Sequence, residues 1–316
     1  MQPFKIDVPV LITFFIRSDT LKKVFDSVKI ARPSTLLLWQ DGPRSDADMD
    51  KIMACRAIVE NIDWECNVYR NYHTENMGCD PSTYLSHKWA FEKVDKCIIL
   101  EDDMVPSQSY YRFCKELLDK YEYDERINHI CGINFVQDEV ECSDDYLFSY
   151  YGTGAWASWR RVAKEWDETY SYLDDARAMS NVRGKYPALA DTSYKTALKR
   201  RKSGKAYWET ILGFNASLNN RLVIIPRVNL VSNIGVTDGA THGTSLWLMN
   251  RRVRKLFFMD AKDIDFPLMH PKYILPDYKY LDEMSKINCF GRPFLAFVRK
   301  VEYLIKRIVY TLFVKK

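Results

Sequence analysis

The sequence lacks most of the patterns that assign a function quickly. Its eight cysteines (55, 66, 79, 97, 114, 131, 142 and 289) form no CxxC pair and no finger-like spacing. Several fall where burial is expected, which suits a reduced cytoplasmic compartment better than a disulfide framework. There is no GxGxxG and no GxxxxGK[ST], so neither a dinucleotide cofactor nor a P-loop is supported. The start, Met1-Gln2-Pro3-Phe4-Lys5, shows no basic region followed by an apolar one, and no secretory leader is expected. The longest early apolar run, Val8 to Ile16, contains Pro9 and Thr13 and is too short to span a bilayer. Internal repeats, low-complexity stretches and any clear linker before about residue 290 are also missing. Net positive charge is confined to the end of the chain. The whole carries +4, yet residues 294–316 hold six Lys/Arg against Glu302, so the rest sums to −1. A nucleic-acid binder spreads or stripes its basic charge over the fold, and no nucleic-acid partner is expected here.

What is present is a chain of 316 residues, 47% hydrophobic and 14% aromatic, enough for one large α/β domain or two small ones with a sizeable core. We divide it into a domain over 1–290 and a basic amphipathic helix over 291–316. Val8–Ile16 reads as a first strand, followed by a helix near 20–28 with Ser18 or Asp19 as its N-cap. Thr35–Gln40 is a second strand that ends in the turn Asp41-Gly42-Pro43-Arg44. A helix over about 47–61 leads to a third strand near 66–70. Asn76-Met77-Gly78-Cys79, a helix over about 81–93 and a strand over Cys97–Asp103 come next. Four strand–helix alternations in the first hundred residues predict an α/β, doubly wound and mostly parallel sheet. Further strands are expected near 127–135 and 222–226, with helical and irregular chain over 161–207.

The strand Cys97-Ile98-Ile99-Leu100 stops abruptly in Glu101-Asp102-Asp103. Three adjacent acids repel one another, so a fold that gathers them does so for a cation or a proton, or else to cap the helix near Ser107. Arg17, Asp41, Gly78-Cys79 and the acidic triplet each follow a predicted strand or open the next helix. They should therefore share one carboxyl edge of the sheet, where open α/β sheets bind ligands. An arginine, a lone aspartate and a carboxylate cluster suit a nucleoside diphosphate with a divalent cation. The arginine would meet phosphate or base, and the cluster would hold Mg²⁺ or Mn²⁺ through one or two carboxylates.

Ile98-Ile99-Leu100-Glu101-Asp102-Asp103 resembles the acidic metal-binding motif of GT-A (Rossmann-like) glycosyltransferases. The form is similar to that of the N-acetylglucosaminyltransferase I family and of a related bacterial family 2-like group. Pro9-Val10-Leu11-Ile12 with Arg17, Trp39-Gln40-Asp41-Gly42 and Asn76-Met77-Gly78-Cys79 resemble the family's nucleotide-binding segments in the same order. Trp156-Ala157-Ser158-Trp159-Arg160-Arg161 resembles an acceptor-side segment, and Asn229–Gly235 with Ala240-Thr241-His242 a closing segment. The resemblance covers about residues 9–245. It implies Asp103 as metal ligand, Glu101 and Asp102 at the sugar, ribose or metal-bound water, and Arg17 and Asp41 at the nucleotide, uridine above all. Tyr207-Trp208-Glu209-Thr210 falls where the family carries a tryptophan followed by acidic residues, here a single one, so Glu209 takes the role of catalytic base.

The expected function is a metal-dependent, inverting glycosyltransferase using a UDP-sugar and Mn²⁺ or Mg²⁺, with a glycan or lipid-linked acceptor in bacterial surface polysaccharide or glycoconjugate synthesis. A sugar nucleotidyltransferase and a catalytically inactive carbohydrate-binding or scaffold protein are the alternatives. Glu209 can equally be a surface helix carboxylate. His242 is either a loop histidine or a contact to metal or diphosphate. Trp156, Trp159, Tyr150 and Tyr151 either stack on a sugar or fill the core, and Lys199–Lys205 either closes over the diphosphate or is solvated. In the tail, apolar residues at 294, 297, 298, 301, 304, 305, 308, 309 and 312 make a wide helical stripe opposite a Lys/Arg-rich face. That pattern suits an interfacial helix on an anionic membrane, peripheral at the inner face of the cytoplasmic membrane. A helix packed on its own domain or on a dimer mate is the other reading.

Overall fold

A computed structural model describes residues 5–137, 143–185, 187–236 and 248–311. The first half is built as expected from alternating elements: β1 (Val10–Phe14), α1 (Ser18–Ala31), β2 (Thr35–Gln40), α2 (Met49–Val59), β3 (Asn67–Tyr72), α3 (Cys79–Lys93) and β4 (Lys96–Glu101). Then come β5 (Met104–Pro106), α4 (Gln108–Lys120), β6 (Ile127–Cys131), β7 (Tyr146–Ser149), β8 (Trp156–Trp159) and α5 (Arg160–Ala163). Helices α6 (Ala176–Lys185), α7 (Pro187–Ser203) and α8 (Trp208–Leu218) precede β9 (Leu222–Pro226) and β10 (Val231–Asn233). The chain continues with α9 (Arg251–Arg254), α10 (Tyr278–Asn288) and α11 (Pro293–Val309).

Eight strands form one sheet in the order β3-β2-β1-β4-β8-β6-β9-β7. β1 pairs in parallel with both β2 and β4, β2 with β3, and β6 with β9, whereas β8 and β7 run antiparallel to their neighbours. The sheet is mostly parallel and flanked by helices, the expected α/β class. Val10, Leu11 and Ile12 of β1, like Ile98 to Leu100 of β4, are fully enclosed, which is why these strands are continuous apolar runs rather than alternating ones. One large core runs through the sheet and its helices, and a smaller cluster joins Leu147 and Ile225 to Tyr280 and Met284 of α10.

Three local expectations change. Strand β4 ends at Glu101, and Asp102-Asp103 turn the chain into β5, which pairs antiparallel with β10. Pro106 therefore closes a strand, and Ser107 is the N-cap of α4. The N-cap of α1 is Arg17 rather than Ser18 or Asp19, and Thr20 Oγ1 donates to its carbonyl. Trp156 and Trp159 are core residues, 1% and 2% exposed, because β8 lies in the middle of the sheet between β4 and β6. Arg160 and Arg161 beside them bind backbone carbonyls of Phe91, Tyr121, Glu122, Asp124 and Ile127. The segment 156–161 thus fastens the fold and offers no aromatic face to an acceptor.

Candidate active site

The order β3-β2-β1-β4 means that the chain builds outward from β1, then crosses back to its other side. This is a topological switch point, and a crevice opens at the carboxyl ends of β1 and β4. A cleft of about 480 Å³ lies there, lined by Arg17, Asp41, Gly78, Glu101 and Asp102. The five donor-side residues singled out in the sequence are thereby brought together. Trp39 and Asn76, from the two segments expected at the nucleotide, line it as well, and so do Phe15, Arg44 and Ser82, which were not anticipated. Arg44 is the most telling omission: four residues from Asp48, it forms a bidentate pair with that carboxylate while its guanidinium lies 5.2 Å from the Phe15 ring centre.

At the cleft floor, Arg17 Nη2 donates to Asp102 Oδ1 and, at 2.9 Å, to Asp103 Oδ2. Phe15 N donates to Asp102 Oδ2 at 3.3 Å. Burial opposes the Arg17 charge, but Asp102 and Asp103 outweigh it and hold its pKa above the ordinary arginine value. Burial pushes Asp102 up to about 6 in spite of Arg17. Half-buried Glu101 is pushed up to about 8, first by burial and then by the charges of Asp103, Glu209 and Asp102.

Asp103 is 8% exposed, and its Oδ1 is buried without a hydrogen-bond partner among the described residues. Strand β10 brings Ile234 N to the Asp103 carbonyl at 2.9 Å and Gly235 against its side chain. A Cβ on Gly235 would overlap Asp103 Oδ2, so a larger residue there would push that carboxylate aside. No group of three His, Cys, Asp or Glu side chains able to hold a metal ion occurs among the described residues. The orphaned Asp103 oxygen fits a hard cation that takes one or two carboxylates and fills its other positions with diphosphate and water. His242, the other proposed ligand, lies outside the described residues.

Asp41 lines the cleft as expected, but its carboxylate is engaged by neighbouring donors. Its Oδ1 accepts from Gly42 N and Met77 N, and its Oδ2 from Asn76 Nδ2 and Gly78 N, all within 2.9–3.1 Å. Four donors occupy the carboxylate, so it folds the Asn76–Gly78 turn and has no acceptor position left for a base or ribose. That turn needs Gly78, at φ +84°, as the N-cap of α3. The N-terminus of a fifteen-residue helix consequently opens on the cleft.

Glu209 lies in the first turn of α8, where the helix dipole favours an acid. Trp208 before it stacks on Trp156 at 5.6 Å and 9°, which fixes where that turn begins. Glu209 itself is exposed and lines a second cavity, of about 260 Å³, together with Tyr150, Tyr151, Lys185 and Thr196. Its charge contributes to the raised pKa values of both Glu101 and Tyr151, so it stands within electrostatic reach of the cleft. Lys199–Lys202 form the solvated C-terminal part of α7, with Arg201 paired to Asp174 and Arg200 over the Tyr207 ring.

The sequence matches no protein-family model and no curated protein. Among solved structures, a galactosyltransferase LgtC in complex with donor and acceptor sugar analogues is 11% identical, with a TM-score of 0.36 over 76% of this chain and 89% of its own. An active-site mutant of LgtC is 12% identical, with a TM-score of 0.32 over 53% of this chain and 64% of its own. A UDP-glucose pyrophosphorylase complexed with UDP-glucose is 6% identical, with a TM-score of 0.34 over 70% of this chain and 90% of its own. At such likeness, the function rests on the site itself.

Proposed function

We propose that the protein is a metal-dependent, inverting glycosyltransferase that moves a sugar from a nucleotide-sugar, UDP-linked, to a glycan or lipid-linked acceptor in bacterial surface polysaccharide or glycoconjugate synthesis. The observation that carries this reading is the convergence of Arg17, Gly78, Glu101 and Asp102 on one cleft beside a buried Asp103 oxygen with no partner among the described residues. Arg17 and the N-terminus of α3 favour the diphosphate, the first by charge and the second by its backbone amides and dipole. Asp41 acts as a positioning residue that shapes this helix entrance. Glu101, on the cleft wall, would contact a sugar or ribose oxygen or metal-bound water. Asp103, helped by Asp102, would hold Mn²⁺ or Mg²⁺, whose chemistry there is to neutralise charge on the departing diphosphate. Glu209 takes the proton of the acceptor hydroxyl as that oxygen bonds to the anomeric carbon and the bond to the diphosphate oxygen breaks, inverting the centre. Such a general base contributes about 10²–10⁴-fold. The cavity beside Glu209, with Tyr150 and Tyr151 on its wall, is the acceptor's side in this reading. The enzyme would work peripherally at the inner face of the cytoplasmic membrane.

A nucleotidyltransferase places a glycine-rich, lysine-bearing loop after its first strand. Only Phe15, Ile16 and Arg17 separate β1 from α1, which leaves no room for one. The deciding experiment is hydrolysis of UDP-, GDP-, TDP- and CMP-sugars without acceptor, with Mn²⁺ or with EDTA. Slow, Mn²⁺-dependent release of one nucleotide is expected. In Asp103→Ala it should fall at least about 10²-fold, the scale of losing one electrostatic stabiliser of the transition state, without unfolding of the protein. No turnover and no nucleotide binding by calorimetry would overturn the reading in favour of a scaffold.

A further inference from the structure

Helix α11 is attached by its charged side. Its half-buried residues are Leu295, Arg299, Glu302 and Lys306, spaced four, three and four apart along one face. The polar members of that face are tied to the domain. Arg299 donates to the last carbonyls of α10, at Ile287 and Lys286, and Lys306 Nζ donates to the Met249 carbonyl at 2.9 Å. Glu302 accepts from Asn250, the N-cap of α9, and pairs with Lys306. An amphipathic helix in a water-soluble fold normally buries its apolar stripe. Here Phe294, Phe297, Val301, Leu304, Ile305 and Ile308 all face outward, with Phe294 79% and Phe297 63% exposed.

The charges next to this face say what covers it. At 100° per residue, Lys300 and Arg307 lie together along one edge of the apolar stripe, and both are exposed. Arg251, Arg252, Arg254 and Lys255, also exposed, extend from the Asn250 cap that Glu302 holds. Antiparallel two-fold pairing with a second copy would bring the two Lys300–Arg307 edges together, and Glu302, the one acid of α11, is already engaged. An apolar face with a basic rim matches the interface of an anionic bilayer, apolar side chains among the acyl chains and cations at the headgroups. No described helix is long and apolar enough to cross a membrane.

We infer that the outward face of α11, with the Lys300–Arg307 edge and the basic α9, is a docking surface for an anionic lipid membrane, clamped to the domain through Arg299, Glu302 and Lys306. None of these residues lines either cavity, so the inference stands or falls apart from the sugar chemistry. The test is co-sedimentation of the full chain with phosphatidylcholine vesicles, with or without about one third phosphatidylglycerol. Binding to the anionic vesicles should exceed that to neutral ones by about tenfold or more and weaken with salt, as expected for two or more cations near the surface. Phe297→Ser with Ile305→Ser should abolish binding. Lys300→Glu with Arg307→Glu should abolish the anionic preference, and all four positions are exposed, so both variants should melt with the parent. Two results would overturn the inference. One is no vesicle binding by a chain that sedimentation velocity shows to be a dimer which the serine variant dissociates. The other is no vesicle binding by a monomer.

Discussion

The two halves of the sheet use their strand ends differently. From β1 to β4 every strand is parallel, and each reaches the same edge before a helix begins, so Arg17, Asp41 and the acidic triplet arrive together as a consequence of order. From β6 to β9 the order is scrambled, two strands run backward, and β8 is inserted between β4 and β6. Here strand ends do not converge. Glu209 lines the second cavity from the first turn of a helix, set by the stacking of Trp208 on Trp156. The first half places chemistry by topology and the second by packing. Substitutions should therefore fail differently in the two.

Glu209→Gln offers the largest contrast. It keeps the shape of an exposed side chain on a helix that Trp208 anchors, so stability and donor binding should stay within error. Acceptor-dependent kcat should fall about 10²–10⁴-fold, measured by steady-state transfer assays. Unchanged transfer would leave Glu209 a surface carboxylate and break the contrast from the second half.

In the first half, Asp41→Asn should act through structure. The amide presents donors where the carboxylate now accepts from Asn76 and the backbone, and two bonds are lost. We expect a loss of about 2–3 kcal/mol in urea unfolding and weaker nucleotide binding, with kcat at saturation changed less than KM. A kcat effect without destabilisation would restore Asp41 to direct contact with the donor.

The smallest expected effect tests the seam between the halves. His87 of α3 is fully buried against Trp156 and Trp208 from the second half, and neither ring nitrogen has a partner among the described residues. Burial lowers its pKa to about 3, against an ordinary 6.5. The folded state keeps His87 neutral while the unfolded chain takes up a proton below about pH 6.5. Its contribution is therefore whole above that pH and lost as pH falls toward 3. His87→Phe should change stability by under about 1 kcal/mol at pH 7.5 and relieve about 2 kcal/mol of acid sensitivity at pH 5, by denaturant unfolding at both pH values. Equal acid sensitivity in the variant would assign the loss to another group.

Short-range signals explain what could be read without coordinates. Burial on both faces makes β1, β2 and β4 plain apolar runs, and the helix period marks α1, so their bounds came out within a few residues. Trp156 and Trp159 kept two readings because an aromatic serves a core and a sugar face equally well, and the insertion of β8 decides for the core. Arg44 was passed over as part of a turn, since nothing in Gly42-Pro43-Arg44 reveals that Asp48 and Phe15 hold it at the cleft. The apolar stripe of α11 was evident from its spacing, but which side faces the domain depends on α9 and α10, far along the folded surface.

Legible in the residue order alone were a buried strand that stops at three carboxylates, the alternation of strands and helices ahead of it, and an arginine and an aspartate that follow the first two strands. Those are properties of neighbouring residues, governed by local propensity and by whether a strand is enclosed. Only the tertiary structure decided that Arg17 pairs with Asp102, 85 residues away, that Asp103 keeps one oxygen free of partners among the described residues, and that the four acceptor positions of Asp41 are taken. A carboxylate's role depends on which donors reach it, and which donors reach it depends on strand order and the crossing back to β4, which no stretch of chain encodes alone.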